Sequence, residues 1–193
     1  MGCSACNNKN KDSDTEMKDG NLPDSYGKGK PILETINTET VNINQSRSNN
    51  IFDFFNDLRK NPKNYIEESK KYNFDDIITL ADNNKLYGNS RMLIQNHFFN
   101  LILDTSIQKE KISKENILTE LENNTQLKNY EKILYIIKSE SENPKDFVWL
   151  LLQENKDIAL DEILYKNFDF FVVSSTIVSS EIYAYFLFLK KKE

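Results

Sequence analysis

Apolar positions are sparse over the first 48 residues and crowd together from Ile51 onward. In the first segment the branched and aromatic apolar side chains are Leu22, Tyr26, Ile32, Leu33, Ile36, Val41 and Ile43, set among Asn, Lys, Asp, Ser, Thr and Gly. So little apolar surface does not offset the entropy of ordering a chain, which predicts a disordered tail over 1–48. Residues 49–193, about 145 in all, are rich in Ile, Leu, Phe and Tyr, and can bury roughly two-thirds of their unfolded surface around one core.

Within this second segment the spacing predicts individual elements. Ile51, Phe52, Phe55 and Leu58 share one face of a helix with Asn50 as its N-cap. Asn61 followed by Pro62 predicts the start of a second helix, with the proline where a missing N–H costs nothing and Tyr65 and Ile66 opening its apolar face. Residues 73–90 read as a loop with a short helical piece around 75–80. The stretch RMLIQNHFFNLILDTSI, 91–107, predicts a helix that is apolar on most of its surface and so well buried. A weaker polar helix or loop follows over 113–128. YEKILYII, 130–137, suits either strand or helix.

In ENPKDFVWLLLQEN, Asn143, Pro144 and Asp146 mark a capped helix start, and Phe147, Leu150, Leu151 and Glu154 repeat at helical spacing. LDEILYKNF reads as a turn or short helix. The chain then closes with two strands, about 168–176 and 181–189, rich in Val, Ile, Phe and Tyr, with an antiparallel pairing implied by the short Ser-rich connection. Helices followed by strands predict an α+β fold, a mixed sandwich with a small antiparallel sheet.

Charge and composition narrow the function. The formal net charge is −5, and no basic stripe suggests a nucleic-acid partner. No run of 18 apolar residues offers a membrane span, and the N-terminus lacks the charged start and apolar core of a secretory signal. A cytosolic location is the expectation, and there two cysteines do not form a structural disulfide.

Both cysteines, Cys3 and Cys6, lie in the opening MGCSAC. Removal of Met1 leaves Gly2 with a free, unhindered amine, the requirement for N-myristoylation, although Cys6 stands where the usual pattern has Ser or Thr. Cys3, directly after the glycine, suits S-palmitoylation. One myristoyl chain binds membranes only marginally, on the order of 10⁴ M⁻¹, and needs a second signal. Residues 7–30 hold Lys9, Lys11, Lys18, Lys28 and Lys30 against Asp12, Asp14, Glu16, Asp19 and Asp24, so no net basic patch supplies it. The second signal then falls to thioacylation of Cys3, with Cys6 a further site. A C-x-x-C metal site lacks further ligands nearby, and a redox motif would follow a strand.

The helix pair FFNDLRKNPKNYI resembles the opening of the CAP superfamily, the cysteine-rich secretory, antigen 5 and pathogenesis-related 1 proteins, also called SCP domains. Asn56, Arg59, Asn61, Pro62 and Tyr65 match its N-x-x-R-x-N-P-x-x-Y/F pattern. NPKDFVWLLLQEN, ILYKNFDFFVV and IYAYFLFL are similar to later family segments in register and hydrophobic pattern, so the resemblance spans roughly 51–189. It implies a three-layer α-β-α sandwich and a cavity that, in family members, holds two histidines and two acidic residues.

Here the family histidines fall on Ser106 and Ala159, while Glu131 is similar in place to the family glutamate. The resemblance therefore implies a degenerate cavity around Glu131, Ser106 and Ala159, with no metal and no cofactor. The chain's single histidine, His97, matches neither position. Its apolar helix predicts a partly buried, neutral, hydrogen-bonded side chain.

No phosphate-binding loop, calcium loop or nucleophile elbow is present. The leading expectation is a non-enzymatic interaction module with a CAP-like domain over 49–193. It is tethered through Gly2 and Cys3 to the cytoplasmic face of a membrane and binds protein or lipid, as some intracellular CAP members are myristoylated and bind membranes. The alternative is an enzyme that works with His97 and a carboxylate such as Glu131 or Asp104.

Overall fold

The computed structural model describes residues 41–79, 82, 93–164 and 168–193; for 160–162 it describes the backbone alone. Gly2, Cys3 and Cys6 lie outside these residues, as does most of the predicted 73–90 loop. The described residues belong to one compact unit, Thr38–Glu193.

A four-stranded antiparallel sheet runs through the centre in the order β1-β3-β4-β2, with β1 Asn42–Ile43, β2 Tyr130–Ser139, β3 Phe170–Val178 and β4 Glu181–Lys191. β4 is the spine. It pairs with β2 from Ser139↔Ile182 to Tyr130↔Lys191 and with β3 from Val178↔Glu181 to Phe170↔Leu189. The alternation of its side chains divides the core. Ile182, Ala184, Phe186 and Phe188 join one apolar cluster, while Tyr183, Tyr185, Leu187 and Leu189 join the other. Helices cover both faces, so β4 reads as an unbroken apolar run where a half-solvated strand would alternate with polar residues.

The first face carries α1 (Gln45–Lys60) and α5 (Pro144–Glu154); α1 is followed by a short α2 (Ile66–Ser69) flanked by 3₁₀ turns at Pro62–Tyr65 and Lys70–Tyr72. Ile51, Phe55 and Leu58 of α1 are fully buried, as the spacing predicts, and the Phe171 ring packs between Phe55 and Phe188 with centroids 4.7 Å from each. Trp149 of α5 is wholly buried, stacked on Tyr72 at 5.5 Å. The opposite face carries α3 (His97–Glu110) and α4 (Lys114–Asn123), whose Leu103, Ile107, Ile117 and Leu121 meet Leu134, Val172 and Leu187 of the sheet. A short α6 (Lys156–Ile158) runs into a π-helical turn, Ala159–Leu164, ahead of β3.

The α+β class, the three layers and the closing hairpin agree with the sequence reading. Several details do not. The fold begins earlier than residue 49: β1 pairs with Thr176 and Ile177, and Asn44, not Asn50, caps α1 by accepting from the Arg47 N–H at 2.9 Å. Val41, Ile43, Arg47 and Ser48 therefore belong to the domain. Three apolar side chains in 41–51 are enough because a sheet edge was waiting for them, and a sequence window cannot see that edge.

Asn61 ends α1 without capping the next turn; its side-chain amide donates back to Asp57 (2.7 Å). The predicted 91–107 helix starts only at His97, because Asn96 accepts from the N–H groups of Phe98 and Phe99. Leu93 and Ile94 are extended, and Ile94 bridges to Phe170 in parallel. Residues 130–137, ambiguous in sequence, are strand, and 114–123 form a true helix capped by Ser113.

Candidate functional site

The residues matched to the CAP pattern act as structural fasteners. Asn56 uses its side chain like a strand partner: Nδ2 donates to the Leu93 carbonyl (3.3 Å) and Oδ1 accepts from the Leu93 N–H (2.9 Å). Tyr65 donates its hydroxyl to Asp57, which also accepts from Asn61. These two donors hold the Asp57 carboxyl below its ordinary range, the Tyr65 bond first; burial, then the Asp57 bond, pushes the Tyr65 phenol up to about 12. Arg59 is buried, and desolvation lowers its guanidinium to about 10.

The expected residual cavity does not assemble. Ala159 is fully buried in the cluster on the α1–α5 face. Ser106 lies on α3, across the sheet, and its hydroxyl donates to the Ile102 carbonyl one turn back (3.0 Å). Glu131 is exposed on the edge strand β2. A sheet thus separates the positions that a linear register placed together.

His97 is also not where its neighbours implied. It is exposed at the first position of α3. Asp104 sits two turns further on, roughly 10 Å along the axis at 1.5 Å per residue; its charge feels that of His97, but no hydrogen bond joins the two side chains. Asp104 itself is buried and accepts from the Gln45 side-chain amide at 2.9 Å. Burial outweighs the Gln45 bond, the neighbouring Ser174 hydroxyl and the His97 charge, and holds this carboxyl above the ordinary value.

Around Asp104 the structure gathers a polar seam between α1, α3 and the outer edge of β3, which the sequence did not reveal. Asn100 Nδ2 donates to the Val173 carbonyl (3.3 Å), the Ser175 N–H donates to Ser48 Oγ (2.8 Å), and the Asn44 N–H donates to the Ser175 carbonyl (2.7 Å). These bonds satisfy a strand edge that β1 covers only in part. Asn100, Asp104 and Ser174 are buried here, and Asn100 Oδ1, Asp104 Oδ1 and Ser174 Oγ have no hydrogen-bond partner, while Gln45 reaches the surface.

The accessible chemistry lies at the end of the sheet where β2 and β3 begin and β4 ends. Phe99, Tyr130 and Phe170 form a ring triad, with centroids 5.5 Å (Phe99–Tyr130), 5.1 Å (Phe99–Phe170) and 5.9 Å (Tyr130–Phe170) apart. On one side Tyr130 borders a cleft of about 500 Å³ lined also by Glu122, Lys128, Glu131, Lys132 and Lys192. Lys132 Nζ donates to the Tyr130 carbonyl and Lys192 Nζ to the Lys128 carbonyl, each at 3.2 Å. Partial burial, then the Lys192 charge, lowers the Lys132 ammonium from its ordinary value. On the other side Phe98, in ring contact with Phe99 at 6.2 Å, leads to an exposed apolar stripe of Ile94 (62%), Phe98 (50%) and Leu101 (61%).

Glu131 is the one residue of the expected site that the cleft includes. The stripe was hidden in the sequence because a helix apolar all round looks the same whether one face is covered or two.

Among the described residues no group of three or more His, Cys, Asp or Glu side chains gathers where a metal could be held, and no helix is long and apolar enough to cross a membrane. No protein family, curated protein or solved structure matches the chain.

Proposed function

We propose that this protein is a lipid-anchored interaction module at the cytoplasmic face of a membrane, with no catalytic centre of its own. The N-terminal MGCSAC carries the proposal: Gly2 offers the amine for myristoylation and Cys3 the thiol for palmitoylation, while residues 7–30 balance five lysines against five acids. Two acyl chains give stable residence where one gives marginal binding. The domain's likeness to the CAP superfamily belongs to the same proposal. It is supported by the Asn56–Tyr65 motif and is compatible with the α-β-α layering; the domain would be a member without the cavity histidines. The enzyme reading, His97 with Glu131 or Asp104, loses support because His97 is exposed and no hydrogen bond joins it to either carboxylate.

The test is metabolic labelling with alkyne analogues of myristate and palmitate, followed by fractionation. Gly2→Ala is expected to lose both labels and move to the soluble fraction. Cys3→Ser is expected to keep the myristate label and bind membranes weakly. A Gly2→Ala chain that still pellets with membranes rejects the anchor.

A further inference from the structure

The end of the domain that carries the stripe and the lysine cleft has a composition that a solvated surface does not explain. Ile94, Phe98 and Leu101 follow one another at intervals of four and three residues, all half-exposed or more. Packing does not require them. The core-facing side of α3 is already filled by Phe99, Leu103 and Ile107. Phe98 is joined through the Phe99–Tyr130–Phe170 rings to the cleft that Tyr130 borders, where the Lys132 and Lys192 ammoniums sit together. Each donates one hydrogen bond to a carbonyl and retains further donors.

We propose that this end of the domain is the face the anchored chain lays against an anionic bilayer, with Phe98, Leu101 and Ile94 entering the headgroup boundary and Lys132 and Lys192 taking lipid phosphates. The inference rests on the anchor reading above. Apolar and aromatic side chains bordered by lysine are the pattern of interfacial membrane contact. Glu122 and Glu131 share the cleft, so its pull on anionic lipid is modest and the apolar stripe carries the larger part.

Residues 1–40 hold five lysines against seven Asp and Glu, so they offer no basic patch and binding beyond the acyl chains falls to the folded domain.

The full chain, co-produced in bacteria with an N-myristoyltransferase, carries myristate without thioacylation, so a second contact becomes measurable. Vesicles of phosphatidylcholine, with and without phosphatidylserine, are the probe, read by co-sedimentation. Phe98→Ser with Leu101→Ser is expected to lower affinity for both vesicle types about tenfold. Lys132→Gln with Lys192→Gln is expected to lower it, by roughly fivefold per lysine at most, only where phosphatidylserine is present. A Leu101→Trp chain is expected to be quenched by brominated acyl chains on binding, against the buried Trp149 as the unquenched reference. Circular dichroism and thermal unfolding confirm that each variant is folded.

If the myristoylated chain binds vesicles but Trp at 101 is not quenched and the serine variant binds equally well, the bilayer face is wrong and the anchor stands. If the chain binds neither vesicle, the bilayer face is wrong, because the domain then adds nothing to the marginal hold of one myristoyl chain; the anchor reading is judged by the Gly2→Ala labelling and fractionation. If the serine variant instead converts a dimer to a monomer, a second copy covers the stripe and the bilayer assignment is overturned.

Discussion

Ser179 and Ser180 join β3 to β4 with φ of 51° and 69°. A two-residue hairpin loop with both residues left-handed matches the twist of its strands, but a β-carbon makes that conformation costly. Glycine removes the clash and gives back part of the gain as unfolded-chain entropy. Ser180→Gly is therefore expected to stabilise the domain by roughly 0.5–1 kcal/mol, seen as a higher urea midpoint with an unchanged slope.

Asp104 gives a second prediction, with a sign fixed by burial. Its folded carboxyl is held above the ordinary value, so the native state binds the proton more tightly than the unfolded chain. The penalty is absent below the unfolded value and grows as pH rises through the interval up to the folded value. Asp104→Asn can keep an acceptor for Gln45 and removes the charge. Its stability relative to the parent is expected to improve from acid to neutral pH in paired denaturation curves. A constant difference across that range would show that the Asp104 charge is not the cause.

At the scale of elements, caps decided where helices start. Asn44 accepts the Arg47 N–H and its own carbonyl receives the Ser48 hydroxyl, while its N–H reaches Ser175. Asn44→Ala is expected to cost about 1 kcal/mol of unfolding free energy, the usual loss for a cap. The hairpin core is more demanding. Phe171, fully buried, contacts Phe52, Phe55, Phe186 and Phe188. Phe171→Ala is expected to cost roughly 3–5 kcal/mol, measured by chemical denaturation. Asn96 shows why the 91–107 reading overshot. An asparagine that accepts two N–H groups stops the helix from extending backward, whatever the hydrophobicity ahead of it.

For the whole molecule, the corrected boundary has a direct consequence. Removing residues through Ser48 deletes β1, the Asn44 cap, the Gln45 bond to Asp104 and the Ser48 bond to Ser175. A chain starting at Thr38 is expected to unfold cooperatively near the full chain's midpoint. One starting at Asn49 is expected to lose at least about 2 kcal/mol, a cap and buried hydrogen bonds together. Equal midpoints would show that β1 contributes nothing. Gly2→Ala leaves every described element intact, so under the proposed anchor it is expected to change membrane residence with no change in the unfolding midpoint.

What the sequence determined by itself was local. The spacing of Ile51, Phe55 and Leu58 gave a helix, the Asn143-Pro144 step gave the start of another, and the β-branched and aromatic density after Phe168 gave a hairpin. The acylation reading of MGCSAC is of the same local kind. Tertiary structure decided what depends on partners distant along the chain. It gave Tyr130–Ser139 to the sheet because β4 offered ten paired positions, and it drew Asn42–Ile43 out of a polar tail to the edge of β3. It set Ser106 and Ala159 on opposite sides of that sheet and turned Phe98 and Leu101 outward. Burial is a property of which surfaces meet. An apolar residue in a sequence declares only that it gains by being covered, and the fold alone determines whether anything covers it.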